Sequence, residues 1–190
     1  MNLKHFGDSY DIVKRSLLEW LTPFGPWAIH PMFTHDTSDD EADAFSRFLG
    51  IPLVSREVLR TGCDREQYFA LCARCHNLFL DPDTGFRLAA IKGHREPQYL
   101  FGDDLVGLAE ARPRALTLIF DQSLARGRER VQIHSKLAHL ATRDLHGFGY
   151  VSQASFIILG QSATLVEEAR KQLVTASRLP LARIVQCRAI

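Results

Sequence analysis

The chain has 190 residues, 46% of them hydrophobic, with 23 Lys plus Arg against 22 Asp plus Glu and a formal net charge of +1. This is enough for one core of ordinary size, since domains run to roughly 100–200 residues, and the near-zero charge excludes a uniformly basic nucleic-acid coat or an acidic disordered tail. No run approaches the roughly 20 apolar residues that cross a bilayer, so no membrane partner is expected. The four cysteines are too few for a disulfide scaffold, and with no signal-peptide pattern at Met1–Asp8 a cytoplasmic chain with reduced thiols is expected.

In chain order, Asp8 caps a helix from about Ser9 to Leu21, with Ile12, Val13, Leu17, Trp20 and Leu21 as its apolar stripe, ended by Pro23, Gly25 and Pro26. Trp27 to Phe33 reads as a short strand. Ser38-Asp39-Asp40-Glu41 has the spelling of a capping box, opening a helix to Leu49 that Gly50 closes. A weaker helix spans about Asp64 to Cys75 and leads into the apolar strand Leu78 to Asp81. Asp103 can cap a helix through Ala111, and Ala115 to Asp121 repeats the pattern of an apolar strand that ends in an acid. A helix from about Arg128 to Thr142, strands Phe148 to Val151 and Phe156 to Leu159, a helix from Ala163 to Ala176 and a strand from Arg183 to Cys187 complete the series. Nothing divides 1–190 by linker, repeat or low complexity, so it reads as a single domain. Strands alternating with helices predict an α/β fold with a mainly parallel sheet covered on both faces. In such a sheet ligands bind outside the carboxyl ends of the strands, where the acids fall.

Four groups could carry chemistry there. Asp81-Pro82-Asp83 sets two carboxylates at a strand end, the oxygen donors that a hard divalent cation takes; Asp-Pro and Thr84-Gly85 are also ordinary turn formers. Asp121, Gln122 and Ser123 are followed by Arg126, Arg128 and Arg130, joining an acid to groups that fork around phosphate. His35 and Asp36 follow the first strand. Gly7-Asp8, Asp11 and Lys14 lie at the N-terminus, where Asp11 and Lys14 form an i,i+3 pair or line the pocket at the strand ends. Cys72 and Cys75, with His76, spell half a zinc site, but no second pair stands at ligand spacing, so they read as buried structural thiols. His94, His134, His139 and His146 show no metal spacing and are assigned to the surface.

The run Gly7-Asp8 with Asp11 and Lys14 resembles the N-terminal signature of the free-23S-rRNA adenine methyltransferases and of the three-Cys-motif partner proteins. Leu78 to Asp81 followed by Pro82 is similar to the Asp-Pro-Pro-Tyr motif of those methyltransferases. The whole chain resembles an uncharacterised bacterial family through Pro31-Met32-Phe33-Thr34, Phe79-Leu80-Asp81-Pro82-Asp83-Thr84-Gly85 and Phe120-Asp121-Gln122-Ser123. The resemblance implies a Rossmann-like three-layer sandwich of methyltransferase-like topology. Two departures point away from methyl transfer. Met32 to Asp36 holds no glycine where a cofactor loop needs one, and Asp83 and Thr84 replace the proline and aromatic of the catalytic motif.

The expected function is therefore a metal-dependent phosphodiester hydrolase, nuclease-like, with Asp81, Asp83, Asp121 and Asp36 holding Mg²⁺ or Mn²⁺. Asp81, Asp83, Asp121 and Lys14 would be catalytic; Arg126, Arg128 and Ser123 would bind phosphate; Asp8, Asp11, His35 and Gln122 would line the pocket. The alternatives are a divergent S-adenosylmethionine-dependent nucleic-acid methyltransferase and a non-catalytic module that binds a nucleotide or a protein.

Overall fold

The computed structural model describes residues 3 and 6–187, and several of its helices begin where the sequence supplies caps. In α1 (Ser9–Trp20) the Asp8 carboxylate accepts the Tyr10 and Asp11 amides at 2.8 and 3.2 Å. Its buried face holds Asp11, Lys14, Leu17 and Leu18, while Ile12 is exposed. The apolar stripe expected there is thus rotated, because two charged residues that pair with partners replace it. Strand β1 (Trp27–His30) precedes α2 (Asp39–Leu49), where Ser38 and Glu41 close the expected capping box and Gly50 ends the helix at φ 74°.

The stretch expected as one helix to Cys75 is α3 (Arg65–Phe69) and a 3-10 turn, Ala70–Arg74. After it come β2 (Asn77–Leu80), the short strands β3 (Gly85–Arg87) and β4 (Tyr99–Phe101), and α4 (Gly102–Ala111). Asp104, not Asp103, turns back to accept the Phe101 amide at 2.8 Å at the start of α4. The remaining elements are β5 (Thr117–Phe120), α5 (Glu129–Ala141), β6 (His146–Val151), β7 (Ser155–Gly160), α6 (Ala163–Ser177) and β8 (Ile184–Gln186). None of the helices is long and apolar enough to cross a membrane, among the described residues.

Six strands form one sheet in the order β1-β2-β5-β7-β6-β8, and β3 pairs with β4 in a separate two-stranded sheet. Within the six-stranded sheet β1-β2 and β2-β5 are parallel, whereas β5-β7, β7-β6 and β6-β8 are antiparallel. The sheet is mixed and mostly antiparallel, which corrects the expected Rossmann-like sandwich with a mainly parallel sheet and methyltransferase-like topology. The cause is local. Only Ser152, Gln153 and Ala154 join β6 to β7, and so short a connection makes a hairpin, whereas a parallel crossover needs a dozen or more residues.

Each face of the sheet is covered. Ile29, Phe79, Leu118, Phe120, Phe148 and Ile158 meet α1, α2 and α6, while Leu78, Leu80, Ile119, Ile157 and Leu159 meet α3, α4 and α5. Alternate residues of one strand thus feed two cores. Both outer strands have part of their backbone occupied: at β1 the Ile29 amide donates to Pro52 O and its carbonyl accepts from the Val54 amide, and near β8 Arg130 donates to the carbonyls of Ala182 and Ile184.

Candidate functional site

The three parallel strands end side by side in polar residues: His30 closes β1, while Asp81 and Asp121 directly follow β2 and β5. Since Phe79 and Phe120 point to the α1 side and Leu80 to the other, strict alternation sends Asp81 toward α1 and Asp121 toward α5. The two acids therefore lie on opposite faces of the sheet, each met there by a lysine.

On the first face, Lys14 Nζ donates to Asp81 Oδ2 and Asp11 Oδ1, both at 2.9 Å, and stands 4.4 Å from the centre of the Phe120 ring. Three ammonium protons thus meet two carboxylates and one aromatic face. The other oxygen of Asp11 accepts the Gly7 amide at 2.9 Å, so the Gly7-Asp8 turn is folded onto the same cluster. Burial pulls the Lys14 ammonium down, but Asp81 and Asp11 outweigh it and leave its pKa above the ordinary lysine value. The pocket expected at this place is filled by the lysine side chain, which is 5% exposed.

On the second face, Lys136 Nζ donates to Asp121 Oδ2 at 2.6 Å, Phe86 O at 2.6 Å and Ser123 Oγ at 2.9 Å. Asp121 Oδ1 takes the Phe86 and Ser123 amides, each at 3.1 Å, and lies 2.6 Å from Ser123 Oγ. Burial wins at Lys136, lowering its pKa below the ordinary lysine value in spite of Asp121, and Arg87 pushes the same way. A serine beside a lysine of lowered pKa has the spacing of a nucleophile and its base. Here, however, Ser123 Oγ also lies 2.9 Å from Phe86 O. Phe86 O and Asp121 Oδ1 share the single hydroxyl proton while Lys136 Nζ donates to the oxygen, so the arrangement ties α5 and β3 to the end of β5.

Gly85 makes that packing possible. At φ 132° its position would put a Cβ 2.3 Å from Asp121 Oδ1 and under 3 Å from the amide nitrogens of Gln122 and Ser123. We expect Gly85→Ala to expel the Asp121 carboxylate from its nest and to cost about 2–4 kcal/mol, read as a lowered urea midpoint with an unchanged slope.

The other expected site residues lie apart. Asp36 is exposed and pairs with Arg60 at 3.2 Å; His35 is exposed beside Thr34; Asp8 caps α1. Asp83 is half-buried in the turn before β3, and Gln122 is exposed, tied through its amide to Thr84 O. Arg126 and Arg128 are exposed on the loop before α5. Among the described residues, no group of three or more His, Cys, Asp or Glu side chains could hold a metal ion. The donor set Asp36, Asp81, Asp83 and Asp121 does not fit Mg²⁺ or Mn²⁺, because an ammonium already holds each of the two buried carboxylates. The positive charge that a carboxylate cluster calls for is present, and it is lysine. His94, His134, His139 and His146 are exposed, as their lack of metal spacing implied.

Sequence reasoning missed two members of this region. Lys136 was not among the expected site residues, although its place one helical turn from Ile133 and Leu140 sets it on the buried face of α5. His30 passed as a strand residue. It is fully buried against Tyr68 and Phe69, with Nδ1 accepting the Met32 amide at 3.3 Å and no hydrogen-bond partner at Nε2. Met32 itself sits at φ 48°, a conformation rare outside glycine, so β1 ends in a strained turn. A histidine directly before Pro31 at the end of an apolar strand was the signal available. No protein-family model, curated protein or solved structure matches this chain.

Proposed function

We propose that this chain is a non-catalytic α/β module that binds nucleic acid through its phosphates, at the rim formed by β3, the segment after it and the loop from Asp121 to Arg128. One observation carries the reading: among the described residues, five exposed cations without a carboxylate ion pair gather on two segments that hydrogen bonds join. Among the described residues, Arg56, Arg60, Arg65, Arg143 and Arg170 face carboxylates. Arg87, Lys92, Arg95, Arg126 and Arg128 are exposed and stand in no such pair. Asp121 is spent on Lys136, and Glu129 turns its carboxylate to the Gly127 amide at 2.9 Å. Hydrogen bonds from Gln122 N to Thr84 O and from Ser123 Oγ to Phe86 O join the two basic segments, and Arg87 lies close enough to Lys136 for their charges to repel.

Glu129 offsets part of the Arg126 charge, and the like charges left in excess attract a polyanion and release its counterions. Their exposure, spread over a strand and a loop, suits a chain of phosphates better than one enclosed phosphate. The buried carboxylates serve as anchors for α1 and α5, which supports binding over metal-dependent hydrolysis.

The test is fluorescence anisotropy with labelled duplex DNA and single-stranded RNA between roughly 50 and 200 mM salt. Binding should weaken with salt, and Arg126→Gln with Arg128→Gln should reduce the slope of log K against log[salt] by about 0.7–0.9 for each phosphate left without its arginine. Binding that is independent of salt, or unchanged in the double variant, contradicts the reading. Competition by a mononucleotide at equal phosphate concentration would reassign the rim to a single-phosphate ligand.

A further inference from the structure

At the other end of the strands from Asp81 and Asp121 lies a pair of cysteines with no part in phosphate binding. Cys72 and Cys75 belong to the 3-10 turn Ala70–Arg74 and its cap, closed by the Cys75 amide donating to the Cys72 carbonyl at 3.1 Å. A 3-10 turn has three residues per turn and rises about 2 Å per residue. Residues three apart therefore stand one above the other with Cα atoms about 6 Å apart, within the roughly 4.4–6.8 Å that a disulfide spans. No disulfide joins them in the structure. Cys72 is fully buried, and Cys75 is partly open to solvent.

A second, independent feature lies beside them. Arg112, 5% exposed, donates through Nη2 to Thr117 Oγ1 at 2.8 Å, while its Nε and Nη1 have no partner. A buried guanidinium with two idle donors is costly to keep, and the groups whose charge acts on it are Cys72 and Cys75. A thiolate would supply the missing acceptor. We propose that Cys72 and Cys75 are a redox-active dithiol that exchanges with a low-molecular-weight disulfide, with Arg112 stabilising the thiolate that forms on the way.

The order of steps follows from exposure. Cys75 gives its proton to solvent, and its thiolate attacks one sulfur of the incoming disulfide. The S–S bond of that disulfide breaks, one small thiol leaves with a proton, and Cys75 carries the other half as a mixed disulfide. Cys72 then loses its proton, attacks the Cys75 sulfur and expels the second small thiol. Two protein thiols are oxidised to one disulfide while one small disulfide is reduced to two thiols. Burial pushes Cys72 up to about 12 and Cys75 above its ordinary value, with Arg112 drawing both down. The exchange should therefore quicken about tenfold per pH unit across the neutral range.

The full-length chain is incubated with oxidised glutathione, quenched in acid, alkylated and digested with trypsin. Cleavage after Arg74 separates the two cysteines, so oxidation is read as a cross-linked pair of peptides, 66–74 and 75–87. Cys72→Ser should arrest the reaction as a stable glutathione adduct on Cys75. In Arg112→Gln the rate should fall about tenfold and its pH profile should move upward, whereas Arg112→Lys should keep part of the rate. Recovery of both peptides alkylated, while Cys63 or Cys187 has taken glutathione, overturns the proposal. An Arg112→Gln chain that is folded by circular dichroism and exchanges like the wild type removes Arg112 from it. Should that variant fail to fold, the wild-type peptide map and Cys72→Ser decide the question.

Discussion

Lys14→Met is expected to lower the unfolding free energy by about 3–5 kcal/mol, because it leaves the Asp11 and Asp81 carboxylates buried near one another with no cation between them. In a chain of this size that amounts to roughly 10 °C or more in Tm. Volume is nearly conserved by the change, so the loss reads charge and not packing. The double variant Lys14→Met with Asp81→Asn should cost clearly less than the sum of the single changes, since the second substitution removes one of the stranded charges. A thermal melt of Lys14→Met within about 1 kcal/mol of the wild type would show that the cluster does not anchor α1 to the sheet. The result also bears on function. A carboxylate kept for catalysis can usually be removed with the fold intact, whereas Asp81→Ala is expected to weaken this one.

The second large effect is on pH. Burial lowers the His30 pKa from 6.5 to about 3, so on acidification the unfolded chain takes up a proton that the folded chain refuses. Stability is therefore full above pH 6.5 and is lost progressively as pH falls from 6.5 toward 3. The loss is about 1.4 kcal/mol per pH unit and about 5 kcal/mol in all. His30→Asn keeps an acceptor near the place of Nδ1 without a group that titrates. Urea unfolding followed from about pH 7 to 5, above the range where most carboxylates titrate, should show a shallower slope in His30→Asn. Equal slopes in the two proteins would mean that the ring is protonated without cost.

Most helices were legible, because caps and periodicity are local. Asp8, the Ser38 to Glu41 box and Gly50 act within a few residues and fold as their spelling implies. Strand direction was not legible in this way. The apolar runs around Phe148 and Phe156 look alike whichever way they lie, and only the brevity of Ser152 to Ala154 forces them into a hairpin. The candidate site failed for a related reason. Asp81 and Asp121 were recognised as strand ends, but their partners lie 67 residues before and 15 residues after them. A lysine on a helix carries no mark of the strand it will meet. Beside an unassigned lysine, an aspartate at a strand end reads as a metal ligand; beside an assigned one, it is half of an ion pair. The short strands β3 and β4 escaped because three residues hold too little periodicity to be seen.

The groups that close the two sides of the sheet also govern how chains meet at high concentration. An open β edge is a template on which an identical molecule can add its own strand, the first step toward fibrous assembly. Here the amide and carbonyl of Ile29 are already taken by Pro52 and Val54, and Arg130 claims two carbonyls at and beside the other edge. A guanidinium there also sets positive charge against a like neighbour. An arginine that sequence reasoning placed among phosphate binders thus helps keep the protein from templating itself.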